Sequence, residues 1–249
     1  MSKAKPTLVL IHGFAANQTV WGDFAFQLAQ HYPVMTIDLP GYGTAQAVPA
    51  QTLHDLASHV LSICPKPAIW VGWSLGGQVA RYLAALAPKQ TQGLITLCSN
   101  PKFVASLDWP GIAPEAFQQL YALFKSQPKK ALTRFFSLQG IEHHLSLRKP
   151  LLLLKKQAEQ LKPEVLLRDL TLLQETDLRK TEASMLPELN IFGNQDRLVP
   201  IAVAPYLKDL YPQAQNATIC GATHVPFLSH VSECLTHMDT FIHDTLTRH

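Results

Sequence analysis

Six short apolar runs punctuate the chain, at residues 7–11, 34–38, 68–73, 94–98, 189–193 and 217–220. Most are separated by stretches whose apolar residues recur every three to four positions. Unbroken apolar runs of this length predict strands buried on both faces, and the intervening period predicts amphipathic helices. Between the first four strands the helical stretches are residues 20–30, 53–63 and 75–87, the last ended by Pro88. Strand and helix alternating across short joints predict an α/β fold, with a mostly parallel sheet flanked by helices.

After residue 100 the pattern changes. From Pro101 to Lys180 no strand-like run appears, and helices are predicted at residues 115–126, 129–138, 151–161 and 164–175. Pro114, Pro128, Pro150 and Pro163 each stand just before one of them, where a fixed φ and a missing N–H cost nothing. The expected organisation is a core of residues 1–100 and 181–249, interrupted by a helical cap at residues 101–180.

With 249 residues, 47% of them hydrophobic and 16% charged, the chain suits one α/β domain carrying an insertion, and excludes a disordered or fibrous class. No window approaches about 18 uninterrupted apolar residues, and no apolar segment follows the lysines of residues 1–6, so neither a membrane span nor a secretion leader is expected. Cys64, Cys98, Cys220 and Cys234 show no CxxC spacing and read as buried free thiols, consistent with a cytoplasmic monomer. The net charge of +3 is unevenly spread: residues 101–180 hold thirteen Lys or Arg against eight Asp or Glu, and the remainder is slightly acidic. A basic cap over a weakly acidic core would attract an anionic partner, with Lys129, Lys130, Arg134, Arg148, Lys149, Lys155 and Lys156 as candidate contacts. The excess is modest and no nucleic-acid motif accompanies it, so nucleic acid is not the expected partner.

The chemistry centres on Gly72-Trp73-Ser74-Leu75-Gly76, which joins a predicted strand directly to a predicted helix. Such a stretch reads either as a tight packing turn or as a nucleophile elbow, in which a strained turn exposes a serine hydroxyl and flanking glycines spare a clash. A serine nucleophile needs an imidazole to take its proton and a carboxylate to orient that imidazole. Asp196 follows the strand at 189–193 and His224 follows the strand at 217–220, both where open α/β sheets bind ligands. The order Ser74, Asp196, His224 is that of one hydrolase fold. Asp177, at the edge of the insertion, and Asp209, inside a helix, are weaker candidates for the acid. His12-Gly13-Phe14 follows the first strand, making Phe14 N–H the natural partner of Leu75 N–H in an oxyanion hole, with His12 bracing the loop. Glu142-His143-His144 is a poor metal site because adjacent residues rarely converge on one ion, and no metal or cofactor is expected.

His12-Gly13, Asp38-Leu39-Pro40-Gly41-Tyr42-Gly43, the elbow, Asp196 and His224 together resemble the α/β-hydrolase superfamily, across essentially the whole chain. Serine at the elbow sets it apart from the dehalogenase and epoxide-hydrolase branches, which carry aspartate there. Gly72–Gly77, Asp108-Trp109-Pro110-Gly111-Ile112, residues 134–139, Thr176-Asp177-Leu178-Arg179 and residues 224–230 are similar to the pimeloyl-acyl-carrier-protein methyl ester esterases of biotin synthesis. The resemblance implies a serine carboxylesterase acting on a carrier-bound methyl ester, with substrate contacts from Phe14, Ser74, Leu75, Phe135, Phe136, Gln139 and His224. It also implies an acyl-carrier protein as partner, for which Lys130, Arg134 and Arg148 are the docking candidates. The chain departs from that family in having Phe14 where tryptophan is usual, and in an early first strand that predicts one or two fewer strands at that sheet edge. A broad short-chain carboxylesterase without a carrier shares every catalytic residue, and a ligand receptor signalling through its cap is the alternative from another class.

Overall fold

The computed structural model describes residues 5–64, 66–140, 145–180 and 186–247. In chain order the strands are β1 (Thr7–Ile11), β2 (Val34–Ile37), β3 (Ala68–Trp73), β4 (Thr91–Leu97), β5 (Glu188–Gly193) and β6 (Gln215–Ile219). Around them run helices α1 (Gly22–Ala29), α2 (Leu53–Ile63), α3 (Leu75–Leu86), α4 (Pro114–Ser126), α5 (Pro128–Leu138), α6 (Leu145–Ala158), α7 (Pro163–Glu175), α8 (Val203–Leu210), α9 (Pro226–Ser229) and α10 (Val231–Thr247). The six strands form one wholly parallel sheet in the order β2-β1-β3-β4-β5-β6. Among the described residues, β2 is the edge at which few strands were expected.

The central strands β1, β3 and β4 feed two cores, because successive side chains leave a strand on opposite faces. Leu8 and Leu10 of β1 join Ile69, Val71, Ile95 and Leu97 on the face covered by Phe24 of α1 and Phe241 of α10. Val9 and Ile11 join Ala68 and Trp70 on the other face, under Leu56 and Val60 of α2 and Val79 and Leu83 of α3. Burial on both faces is why these strands read as unbroken apolar runs. Helix α2 starts where predicted because Thr52 and Asp55 form a reciprocal capping box.

Helices α4 to α7 occupy the segment between β4 and β5, where four helices were predicted. One of them, expected at residues 151–161, differs at both ends and spans Leu145–Ala158. Pro150 stands inside α6, which begins at Leu145, rather than at its start. Leu147, Leu151, Leu154 and Ala158 are all buried on one face, so packing extends the helix past the proline. In the second turn the proline forgoes a single backbone bond. The first predicted helix is likewise divided, into a 3-10 turn at Gln18–Trp21 and α1.

Of the four cysteines, all free, Cys64, Cys98 and Cys234 are buried and Cys220 is exposed, correcting the expectation of four buried thiols. No helix among the described residues is long and apolar enough to cross a membrane.

Candidate active site

The strand order of the parallel sheet reverses between β1 and β3, and sheets of this kind bind ligands outside the carboxyl ends of the strands at such a point. The loop after β1 carries His12 and Phe14, and the turn after β3 carries Ser74. Ser74 has φ 55° and ψ −119°, a conformation that non-glycine residues avoid. Neighbouring groups hold it there: Ser74 N–H donates to Leu97 O at 3.0 Å, and Ser99 Oγ donates to Ser74 O at 2.7 Å. The flanking glycines are required by contact. A Cβ on Gly72 would stand 2.2 Å from Gly76 O, and one on Gly76 would stand 2.2 Å from Ile11 O. Both obstacles are backbone, so neither can swing aside. The predicted elbow geometry is present, with helix α3 starting at Leu75 and its first N–H groups unused by the helix.

Asp196 and His224 meet. His224 Nδ1 and Asp196 Oδ2 are 2.8 Å apart, and both side chains are almost wholly buried. Asp196 Oδ1 accepts Leu198 N–H at 2.8 Å and Val199 N–H at 3.0 Å, which fixes the carboxylate before it touches the imidazole. His224 Nε2 is buried and has no hydrogen-bond partner among the described residues. Trp73 Nε1–H donates to His224 O at 2.8 Å, tying the imidazole's loop to the residue preceding Ser74. Of the weaker acid candidates, Asp177 pairs with Arg179 at 2.8 Å, and Asp209 lies on α8.

His12 is fully buried, and its tautomer follows from its neighbours. Leu39 N–H donates to Nε2 at 3.0 Å, so the proton sits on Nδ1, which donates to Gly13 O at 2.8 Å. Burial holds its pKa down at about 4, against smaller raising effects of the Gly13 bond and the Asp38 charge. That is a neutral brace for the loop, as the sequence reading has it.

Phe14 is 1% exposed, and its ring stands edge-on to Phe135 at 5.0 Å and to Phe124 at 5.4 Å. Phe136 stacks edge-on against Phe135 at 5.8 Å. Gln139, just past α5, is fully buried, and neither amide atom of its side chain has a partner among the described residues. Its carbonyl accepts Thr223 Oγ at 2.9 Å, so the end of α5 rests on the residue preceding His224. Sequence reading missed Phe124, because one more aromatic on an amphipathic helix looks like any core position. It also missed Thr223 and Trp73, whose contacts are visible only once the loops converge.

Lys130, Arg134 and Arg148 are exposed on α5 and α6, and no ion pair involves them among the described residues. Lys155 instead pairs with Glu159 at 3.4 Å. Asp108-Trp109-Pro110-Gly111-Ile112 and Thr176-Asp177-Leu178-Arg179 turn their polar groups on one another. Arg179 bonds Asp108 at 2.9 Å and Asp177 at 2.8 Å, with its guanidinium 5.5 Å over the Trp109 ring. Arg179 is also the main reason that the Asp177 carboxyl is held down at about 2. Leu178 N–H donates to Pro101 O at 2.9 Å, so these motifs clasp the two ends of the four-helix segment.

Cys98, Asp196 and His224 bring a thiol, a carboxylate and an imidazole within 4.8 Å of one another, the one such trio found among the described residues. Burial pushes the Cys98 thiol well above its ordinary range, and Nδ1 is engaged by Asp196, so the set is a poor metal donor. Glu142-His143-His144 lies outside the described residues.

The sequence matches the model of the alpha/beta hydrolase family over residues 8–235. It is 38% identical over 229 residues to a pimeloyl-[acyl-carrier protein] methyl ester esterase of Yersinia pseudotuberculosis serotype O:1b (strain IP 31758), covering 91% of this chain and 89% of that protein. The enzyme of the same name from Pectobacterium carotovorum subsp. carotovorum (strain PC1) is 39% identical over 226 residues, covering 90% of this chain and 89% of its own. Among solved structures, a bromoperoxidase from Bacillus anthracis superposes with a TM-score of 0.85 at 20% identity, covering 96% of this chain and 92% of that one.

Proposed function

This chain belongs to the alpha/beta hydrolase family, and on that premise we propose that it is a serine carboxylesterase hydrolysing the methyl ester of pimeloyl-[acyl-carrier protein]. The products are pimeloyl-[acyl-carrier protein] and methanol, in biotin synthesis. The observation that carries the chemistry is the 2.8 Å contact of Asp196 with His224, whose Nε2 has no partner among the described residues and whose carbonyl is bonded by Trp73, the residue preceding Ser74 on its strained elbow.

His224 Nε2 takes the Ser74 hydroxyl proton as Oγ attacks the ester carbonyl carbon. Phe14 and Leu75 N–H groups hold the oxyanion that forms. Collapse breaks the bond to the methoxy oxygen, which leaves as methanol with the proton from His224. A water, deprotonated by the same nitrogen, then frees the carboxylate and restores Ser74. Asp196 keeps Nδ1–H directed at itself throughout, which leaves Nε2 to exchange protons.

Residues 101–180 form the cap in this reading. Phe14, Leu75, Phe135, Phe136 and Gln139 contact the acyl chain, and the buried amide of Gln139, without a partner among the described residues, is a polar group with spare bonding capacity. Lys130, Arg134 and Arg148 receive the anionic carrier, supported by their exposure and by the net positive charge of this segment. The enzyme acts as a cytoplasmic monomer.

The test compares methyl pimeloyl-carrier with a free short-chain ester. Ser74→Ala should abolish turnover of both. A Lys130→Glu, Arg134→Glu variant should lose about tenfold in kcat/KM on the carrier substrate while sparing the free ester. Equal losses on both substrates, or none on either, overturn carrier docking and leave a general esterase. Slow single turnover on both would favour a receptor.

A further inference from the structure

Two peptide groups flank Phe14, whose N–H is the proposed oxyanion donor. The Gly13–Phe14 peptide is held from the core, by His12 Nδ1–H on Gly13 O at 2.8 Å. Its neighbour, the Phe14–Ala15 peptide, is held from α7. Ala15 N–H approaches Tyr42 Oη at 3.4 Å, the Tyr42 hydroxyl donates to Asp169 Oδ2 at 2.5 Å, and Asp169 Oδ1 accepts Arg168 Nε–H at 2.8 Å. Arg168 also donates to Pro40 O at 2.8 Å and to Ala50 O at 3.3 Å, bracketing the loop that carries Tyr42. Tyr42 and Asp169 are both wholly buried.

A buried carboxylate is a costly means of attaching a helix when two apolar side chains would serve. Burial pushes the Asp169 carboxyl up, opposed by Arg168 and Tyr42, so its partners are what keep it serviceable. Direction is what the network supplies and an apolar contact lacks. With its proton committed to Asp169, the Tyr42 oxygen can only accept, and the donor placed before it is Ala15 N–H. Ala15 needs such a hold because it has φ +56°, a strained value for a residue with a Cβ. We propose that Tyr42, Asp169 and Arg168 are positioning residues for ester hydrolysis, fixing the Phe14–Ala15 peptide from α7 so that Phe14 N–H meets the developing oxyanion.

The proposal rests on the oxyanion role assigned to Phe14 above. It makes the four-helix segment part of the catalytic alignment and not only a cover. Misplacement by about 1 Å at a reacting centre can cost on the order of a hundredfold in rate, and loss of one anchor of two should cost less.

The experiment uses the whole chain, p-nitrophenyl butyrate as substrate and a boronic acid that forms a tetrahedral adduct with serine. Tyr42→Phe should lower kcat about tenfold with KM within about twofold, and weaken the boronic acid by the same factor. Asp169→Leu should behave likewise, whereas Asp169→Asn, which keeps an acceptor for Tyr42, should recover most of the loss. The double variant Tyr42→Phe, Asp169→Leu removes both buried polar partners together, which limits its cost in stability, yet it should keep the tenfold deficit. If Tyr42→Phe and the double variant turn over within twofold of wild type while Ser74→Ala is inactive, the positioning role is wrong and the triad stands. A fall in kcat without the parallel fall in boronic acid affinity also overturns it. Full activity in Ser74→Ala would remove the catalytic reading itself, and the positioning role with it.

Discussion

Lowering the pH from 7 to 5 should weaken this fold by about 2 kcal/mol through His12 alone. Burial holds that imidazole at about 4, compared with 6.5 for an unperturbed one. Protonating the folded form would put a proton on Nε2, the atom that accepts Leu39 N–H. The unfolded chain takes the proton more readily, so the contribution is fully present above pH 6.5 and is lost as the pH falls toward 4. A difference of about 2.5 in pKa corresponds to about 3 kcal/mol over the whole window, of which about two-thirds is gone at pH 5. Urea unfolding at pH 7, 6 and 5 measures the slope in the wild type and in His12→Gln. The glutamine amide can accept from Leu39 N–H and donate to Gly13 O without titrating, so its slope over this range should be flatter by that amount. Equal slopes in the two proteins would refute the assignment, because the lost stability would then belong to other groups.

Two further outcomes follow from contacts beneath the site. Arg81 of α3 and Glu188 of β5 form a bidentate pair with side chains 2% and 4% exposed, and the Tyr211 ring lies 4.5 Å over the guanidinium. Glu188→Gln should cost about 3 kcal/mol in chemical denaturation, while the double change Arg81→Met, Glu188→Met should cost clearly less, since a lone buried charge is worse than none; a double variant as unstable as the single one contradicts this. Gly76→Ala should yield insoluble or grossly destabilised protein, because its Cβ meets the backbone of β1, and a soluble variant with near-native Tm would show that α3 can shift.

Much of this architecture was legible because its cause is periodic. Strands buried on both faces are mostly apolar, and β3 begins and ends with its apolar run, as α2 does with its helical period. Asp196 and His224 stand out among many acids and histidines because each directly follows a strand, and the loops after strands gather at one edge of a parallel sheet. What escaped has other origins. The start of α6 was hidden by Pro150, whose local preference yields to the buried stripe from Leu147 to Ala158. Tyr42 and Asp169 lie 127 residues apart, and nothing local to either announces the other. Asp108 to Ile112 stood out only as a motif of resemblance, and what its polar side chains do, bonding to Arg179 and to Lys102 O, is visible only in the fold.

That clasp also bears on how the chain folds and diverges. Because Leu178 N–H returns to Pro101 O at 2.9 Å, the excursion between them starts and finishes at a single point beside β4. To the sheet, it is topologically equivalent to a short loop joining two neighbouring strands, and the register of β4 with β5 is indifferent to what lies beyond the knot. Helices there can lengthen, shorten or be exchanged for another set while β4 and β5 pair unchanged. Substrate preference can therefore drift in a part of the molecule whose ends are fixed, with the alignment through Tyr42 and Asp169 as the constraint that any replacement must reproduce or do without.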